Sequence, residues 1–160
     1  MKQLNFIDLF AGIGGFHIAM KSIHPHAKCV YACEIDKICN DLYKNNFKIS
    51  PEYDIRQADI ENIPSFEVLF AGFPCQPFSK GGKQMGFKDQ TRGTLFFNIL
   101  QIIEFHRPNY ILLENVANIV SHDQGNTYQV IRKSLTDLGY LMPSQPLIIS
   151  PVDFGYPVFL

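Results

Sequence analysis

The chain has 160 residues, of which 46% are hydrophobic, 18% charged and 13% aromatic, a composition that fits one soluble globular domain with a real core. A formal net charge of -1 gives no overall basic character to announce a nucleic-acid partner, so any attraction for phosphates has to be local. No apolar run approaches the roughly 20 residues of a membrane helix, and Met1-Lys2-Gln3 leads straight into an apolar stretch without a signal-peptide pattern. The expected location is the cytoplasm, with no membrane partner.

Apolar runs and helical patterns alternate along the chain. Leu4 to Leu9 reads as a strand, Gly14 to Ser22 as a helix and Lys28 to Cys33 as a second strand. Asp36 to Asn46 reads as a second helix with Asp36 as its N-cap. A weak third strand is expected around Ile55 and a fourth over Glu67 to Ala71. A polar loop rich in Gly and Lys runs from Pro74 to Arg92. Thr94 to His106 then forms a helix with Leu95, Ile99, Ile102 and Ile103 on one face, Thr94 as cap and Pro108 as stop. Asn109 to Glu114 is an apolar fifth strand closed by an acid. A helix over Tyr128 to Leu138 stops at Gly139, and Leu147 to Ile149 suggests a sixth strand. Such alternation implies an α/β fold, a mainly parallel sheet with helices on both faces, whose ligand sits at the carboxyl ends of the strands.

Two segments after strands carry chemistry. The first is Asp8-Leu9-Phe10-Ala11-Gly12-Ile13-Gly14-Gly15-Phe16, a glycine-rich strand-to-helix turn. His17 stands where a dinucleotide fingerprint needs its third glycine, which points away from a pyrophosphate ligand. Glu34, closing the second strand, occupies the place of an acid that holds ribose hydroxyls, so a nucleoside cofactor without a pyrophosphate fits best. Asp59 reads either as an acceptor for an adenine amino group or as a solvated loop carboxylate. The second segment is Gly72-Phe73-Pro74-Cys75-Gln76-Pro77-Phe78-Ser79, where two prolines hold a cysteine in a rigid turn at the mouth of the sheet. That setting presents a thiol as a nucleophile rather than packing it. The chain's other cysteines, at 29, 33 and 39, lack paired metal-ligand spacing even with His24 and His26 nearby; Cys29 and Cys33 read as small core residues, and no metal site is expected.

Gly72 to Ser79 resembles the catalytic motif of DNA cytosine-5 methyltransferases. Asp8 to Phe16 resembles the cofactor motif that opens that family, and Glu114-Asn115-Val116 its acid motif, all three in family order and along essentially the whole chain. The resemblance implies a Rossmann-like methyltransferase fold and S-adenosyl-L-methionine as cofactor. It assigns the nucleophile to Cys75, contacts with the base to Glu114 and bracing of the Pro74–Cys75 turn to Asn115. Burial beside apolar neighbours would raise the pKa of Glu114. The resemblance assigns the cofactor to Phe10, Ala11, Gly12, Gly14, Gly15, Phe16, Glu34, Ile35, Asp59, Ile60, Pro74 and Leu95. Ile35 stands where many relatives carry a larger aromatic.

The glycine-rich segment after Cys75 reads as a lid that clamps the phosphates of double-stranded DNA through Ser79, Lys80, Lys83, Lys88 and Arg92. Beyond Asp153-Phe154-Gly155-Tyr156-Pro157 the family continues with a Gln-x-Arg-x-Arg motif and a target-recognition domain, whereas this sequence continues with Val158-Phe159-Leu160. The expectation is therefore one catalytic domain over residues 1–160 without its recognition domain. It would be a truncated or fragmentary product, or one half of a split enzyme completed by a second polypeptide, and a poor methyltransferase alone. A restriction–modification setting follows from the same resemblance.

Overall fold

The computed structural model describes residues 3–74 and 95–156. The chain divides into two units, residues 1–115 and 116–160. The first unit runs β1 (Asn5–Leu9), α1 (Gly15–Ile23), β2 (Lys28–Cys33), α2 (Lys37–Phe47), β3 (Val68–Gly72), α3 (Leu95–His106) and β4 (Tyr110–Glu114). All strand pairs are parallel and their order is β2-β1-β3-β4. The chain thus builds outward from β1 to one side, returns, and continues on the other. That reversal opens a crevice beyond the carboxyl ends of β1 and β3, where ligands of open parallel sheets bind.

Side-chain alternation along β1 explains its burial on both faces. Phe6 is fully buried in a cluster with Met20 of α1, Ala32 of β2 and Tyr43 of α2. Ile7 and Leu9 point the other way and are equally inaccessible, as is Leu69 of β3. The apolar stripe expected in α3 is present, with Ile99, Ile102 and Ile103 at 0% exposure. Helix α2 starts as its sequence predicts, with the Asp36 carboxylate accepting from the Cys39 amide at 2.9 Å. The cap expected from Thr94 falls outside the described residues, as does the loop from Cys75 onward.

Two expected strands are corrected. Around Ile55 the chain forms a 3-10 turn, Ile55–Gln57, because the Asp54 side chain accepts from the Arg56 amide at 2.9 Å and curls the backbone. Strand-like pairing there is confined to an isolated bridge between Glu52 and Cys33. Leu147 to Ile149 is likewise not a strand. No ladder engages it among the described residues, and its three side chains are 82%, 67% and 59% exposed.

In the second unit, α4 (Asn126–Asp137) buries Thr127, Tyr128, Ile131, Ser134 and Leu135. It begins two residues before the expected start, after Gly125 at φ 86°. Gly139 at φ 90° ends it, with the amides of Gly139 and Tyr140 bonding back to Thr136 and Leu135 at 2.9 and 3.0 Å.

Leu69→Ala, in the strand between β1 and β4, should cost about 2–5 kcal/mol of stability in urea titration. Leu147→Ser, on the exposed segment, should change it by less than about 0.5 kcal/mol.

Candidate active site

A parallel sheet delivers every carboxyl end to one edge. In the order of this sheet, that edge carries Glu34 after β2, the glycine turn after β1, Phe73 and Pro74 after β3, and Glu114 closing β4. Neighbouring strands lie about 4.8 Å apart. The segment entering Cys75 therefore leaves the sheet between the glycine turn on one side and Glu114 on the other.

The glycine turn is held from below and from the side. Phe10 adopts φ 57° and Gly12 φ 53°, backbone positions that are costly for a residue with a side chain and free for glycine. Ala11 is buried, its amide bonding to the Cys33 carbonyl at 3.0 Å, and Gly14 closes the turn by donating to the Ala11 carbonyl at 2.8 Å. Gly14, at φ 94°, has no room for a methyl group: its Cβ would lie 2.2 Å from Phe47 Cε2 and 3.3 Å from Tyr43 Cε2. Gly15 opens α1. Phe16 stacks on Phe70 with ring centroids 5.1 Å apart, so part of its role is to seat α1 on the sheet.

Glu34 ties two elements together. One carboxylate oxygen accepts from the Gly12 amide and the other from the Asp36 amide, both at 2.7 Å. Each oxygen retains a second lone pair, so the carboxylate can still accept from two adjacent hydroxyls. Ile35 is 52% exposed beside it. Asp59 lies between two 3-10 turns rather than after a strand, is exposed, and accepts from Asn62 at 2.8 Å. The Ile60 carbonyl pairs with His106 Nε2 at 2.8 Å. Leu95 is half-buried at the start of α3 and Pro74 is exposed.

Gly72 and Glu114 are register partners across β3 and β4, and a Cβ at Gly72 would come within 3.2 Å of the Glu114 carboxylate. Glycine at 72 thus clears space for that acid. Asn115 donates to the Phe73 carbonyl at 2.5 Å and pins the backbone two residues before Cys75. Glu114 is exposed, not buried as expected from its apolar strand; β4 pairs with β3 on one side only, and its residues alternate between exposed and half-buried. Cys75, Ser79, Lys80, Lys83, Lys88 and Arg92 lie outside the described residues.

Sequence reasoning missed a polar cluster under the turn. Asp8 is fully buried and accepts from the Tyr43 hydroxyl at 3.2 Å. That hydroxyl lies 2.8 Å from His17 Nδ1 and 3.5 Å from Cys29 Sγ. Burial pushes Asp8 up to about 7, against the pull of Tyr43 and of the His17 amide, with the Glu34 charge adding to the rise. Burial pushes His17 down to about 4, with Lys21 adding to the fall. The thiols of Cys29 and Cys33 rise to about 11 and 12 for the same reason, so both behave as packed core groups. A lone acid in the apolar strand Asn5–Leu9 is the signal from which the cluster could have been suspected.

Over residues 4–157 the chain matches the model of the C-5 cytosine-specific DNA methylases. It belongs to that family. Within it, the chain is 46% identical over 157 residues to Type II methyltransferase M.HhaI of Haemophilus parahaemolyticus, covering 98% of this chain and 46% of that protein. It is 50% identical over 159 residues to M.HgiCI of Herpetosiphon aurantiacus, covering 97% and 36%. The chain thus spans less than half the length of these relatives. Among solved structures it resembles the Dnmt2 methyltransferase of S. pombe, with TM-score 0.65 and 27% identity over 84% of this chain and 42% of that one. The fold is also shared with Entamoeba histolytica EhMeth, TM-score 0.67 at 24% identity, over 97% of this chain and 49% of that one. The parallel α/β sheet expected from the alternating elements, and the Rossmann-like architecture implied by the family resemblance, agree with these relatives.

Asp8 and His17 impose opposite pH dependences on stability. The raised Asp8 favours folding fully below about 3.8 and loses that contribution as pH climbs through about 7. The lowered His17 contributes fully above about 6.5 and loses its contribution as pH falls toward about 4. Their slopes oppose between pH 4 and 6.5. Asp8→Asn should expose the His17 slope, so that denaturation midpoints fall as pH drops from 6.5 to 4. Above pH 7 the same variant should gain stability over the parent. A variant whose pH profile parallels the parent's would refute this assignment.

Proposed function

We propose that this chain carries the cofactor-binding and cysteine-bearing part of an enzyme that methylates carbon 5 of cytosine in double-stranded DNA. The order of strand ends supports it best: Phe73 and Pro74, which lead to Cys75 in the sequence, leave the sheet between the glycine turn with Glu34 and the Glu114 carboxylate, so a methyl donor would lie to one side and the base's polar edge to the other. S-adenosyl-L-methionine would supply a methyl group on a sulfonium sulfur. Phe10, Gly12, Gly14 and Glu34 would hold its adenosine, Glu34 through its unused lone pairs, with Ile35, Asp59, Ile60, Pro74 and Leu95 around the adenine and pocket wall. Ala11, Gly15 and Phe16 would shape the turn.

Cytosine carbon 5 is too poor a nucleophile to take the methyl group directly. The Cys75 thiolate would add to carbon 6, placing the electron pair at carbon 5, which then takes the methyl group. Glu114 would bond the ring nitrogen and exocyclic amine, stabilising the charge that develops as Cys75 adds. Loss of the carbon 5 proton to a base then re-forms the ring double bond and expels Cys75. Asn115 would keep the Pro74–Cys75 backbone in place through the Phe73 carbonyl. The target base has to leave the duplex stack to reach Cys75, and Ser79, Lys80, Lys83, Lys88 and Arg92 would hold the flanking phosphates.

Because the chain spans 46% and 36% of the two relatives above, turnover is proposed to need the remaining family segments as well, on this protein or on a second polypeptide. Binding of cofactor or DNA without turnover is the competing reading, favoured by that same coverage. A cytoplasmic restriction–modification setting suits relatives named Type II methyltransferases. No helix among the described residues is long and apolar enough to cross a membrane.

The experiment is covalent trapping on DNA carrying 5-fluorocytosine, with and without a polypeptide supplying the rest of a relative. With the added polypeptide and S-adenosyl-L-methionine, the parent chain should form an adduct that survives denaturation, and Cys75→Ser should form none. Methylation that persists in Cys75→Ser would overturn the nucleophile assignment. Cofactor binding by calorimetry without any adduct or methylation, even with the added polypeptide, would favour the competing reading.

A further inference from the structure

The buried cluster beneath the glycine turn has the arrangement of a proton relay. Asp8 Oδ2, the Tyr43 hydroxyl and His17 Nδ1 stand in line at 3.2 and 2.8 Å, drawn from β1, α2 and α1. Asp8 Oδ1 is buried with no hydrogen-bond partner among the described residues. An ionised carboxylate left half-satisfied in such a place is costly, so burial strengthens the hold of Asp8 on a proton while the Tyr43 hydroxyl opposes it. Titratable groups facing the cluster are Cys29 from β2, at 3.5 Å from the Tyr43 hydroxyl, and Glu34 beyond β2, which acts on Asp8 through its charge. From α1, Lys21 acts on His17.

The same side chains touch the turn. Tyr43 and Phe47 fill the space where Gly14 lacks a side chain, and Phe47 stacks on the His17 ring with centroids 4.0 Å apart. We propose that Asp8, Tyr43 and His17 form a buried relay that positions the cofactor turn according to whether Asp8 carries a proton.

With Asp8 ionised, Tyr43 donates to Asp8 Oδ2 and accepts from His17 Nδ1–H. With Asp8 protonated, its O–H donates to Tyr43, whose hydroxyl turns and donates to His17 Nδ1; the imidazole then carries its single proton on Nε2. One proton is taken up at His17 Nε2 while Nδ1 releases its own to the Tyr43 oxygen and the Tyr43 hydroxyl proton passes to Asp8 Oδ2, so the imidazole is neutral in both end states. Reversal of the chain repacks the His17–Phe47–Gly14 contact and so reaches the turn. This rests on the proposed function in one respect: a cofactor with a cationic sulfonium should bind better to the ionised state, and by linkage should lower the titration midpoint.

The test is nitrogen NMR of the chain from pH 5.5 to 8.5. The neutral His17 imidazole should change tautomer with a midpoint near 7, and the Gly12 and Gly14 amides should titrate with it. Asp8→Asn should freeze the tautomer and abolish both titrations. Tyr43→Phe removes the middle link and should abolish the pH-dependent change of the His17 tautomer and of the Gly12 and Gly14 amides. A single His17 tautomer across the range in the parent, parent glycine amides that do not titrate, or coupled titrations that persist in Tyr43→Phe would overturn the relay. In a parallel calorimetric series, S-adenosylmethionine should bind more tightly as pH rises through 7, by about tenfold for each unit that binding lowers the midpoint, and this gain should vanish in Asp8→Asn. Failure of the cofactor to bind at any pH would count against the proposed function, while the NMR series still decides the relay.

Discussion

The Glu34 carboxylate is the joint on which the site depends. A single side chain at the end of β2 bonds the amide inside the glycine turn and the amide at the start of α2, at 2.7 Å each. Charge-assisted bonds of this kind are among the stronger ones a protein makes, and here they act between elements that the sheet alone would leave separately mobile. Glu34 in turn is set by β2, whose amides and carbonyls around Ala32 and Glu34 exchange bonds with Glu52. The geometry of the glycine turn is thus anchored through one acid into the backbone of the sheet.

Below that joint, the same turn rests on the aromatic side chains of α2. Tyr43 and Phe47 press into the notch at Gly14, and the Asp8 cluster lies behind them. A rigid upper contact and a titratable lower one make the turn both well placed and adjustable. The acid that would meet the base occupies the opposite flank, cleared by Gly72, so the proposed binding and chemistry would fall to the two neighbours of β3.

The parallel sheet and most of its helices were legible because their patterns are long and backed by local chemistry. Asp36 begins α2 by capping it, the α3 stripe is buried, and Gly139 stops α4. Ile55 and Leu147–Ile149 misled because short β-branched runs read as strands whether or not a neighbour offers a ladder. At Ile55 a side-chain bond from Asp54 won, and at Leu147–Ile149 no ladder is present among the described residues. Glu114 was placed correctly in sequence but its exposure was not, since an apolar run does not tell an edge strand from a central one. The Asp8 cluster was invisible for a different reason: its members are nine to thirty-five residues apart, and only the crossover of β1, α1 and α2 brings them together.

The bond from Asn115 to the Phe73 carbonyl has a consequence for how this segment can evolve. Glu114 and Asn115 are adjacent, one opposite Gly72 and the other holding Phe73, so the two strand ends are locked to each other like meshed teeth. A residue inserted or deleted on either side of that lock would throw the acid out of step with the proline-cysteine segment, even with every side chain retained. Spacing at this corner is as constrained as composition, and variation in length belongs to the stretches beyond it.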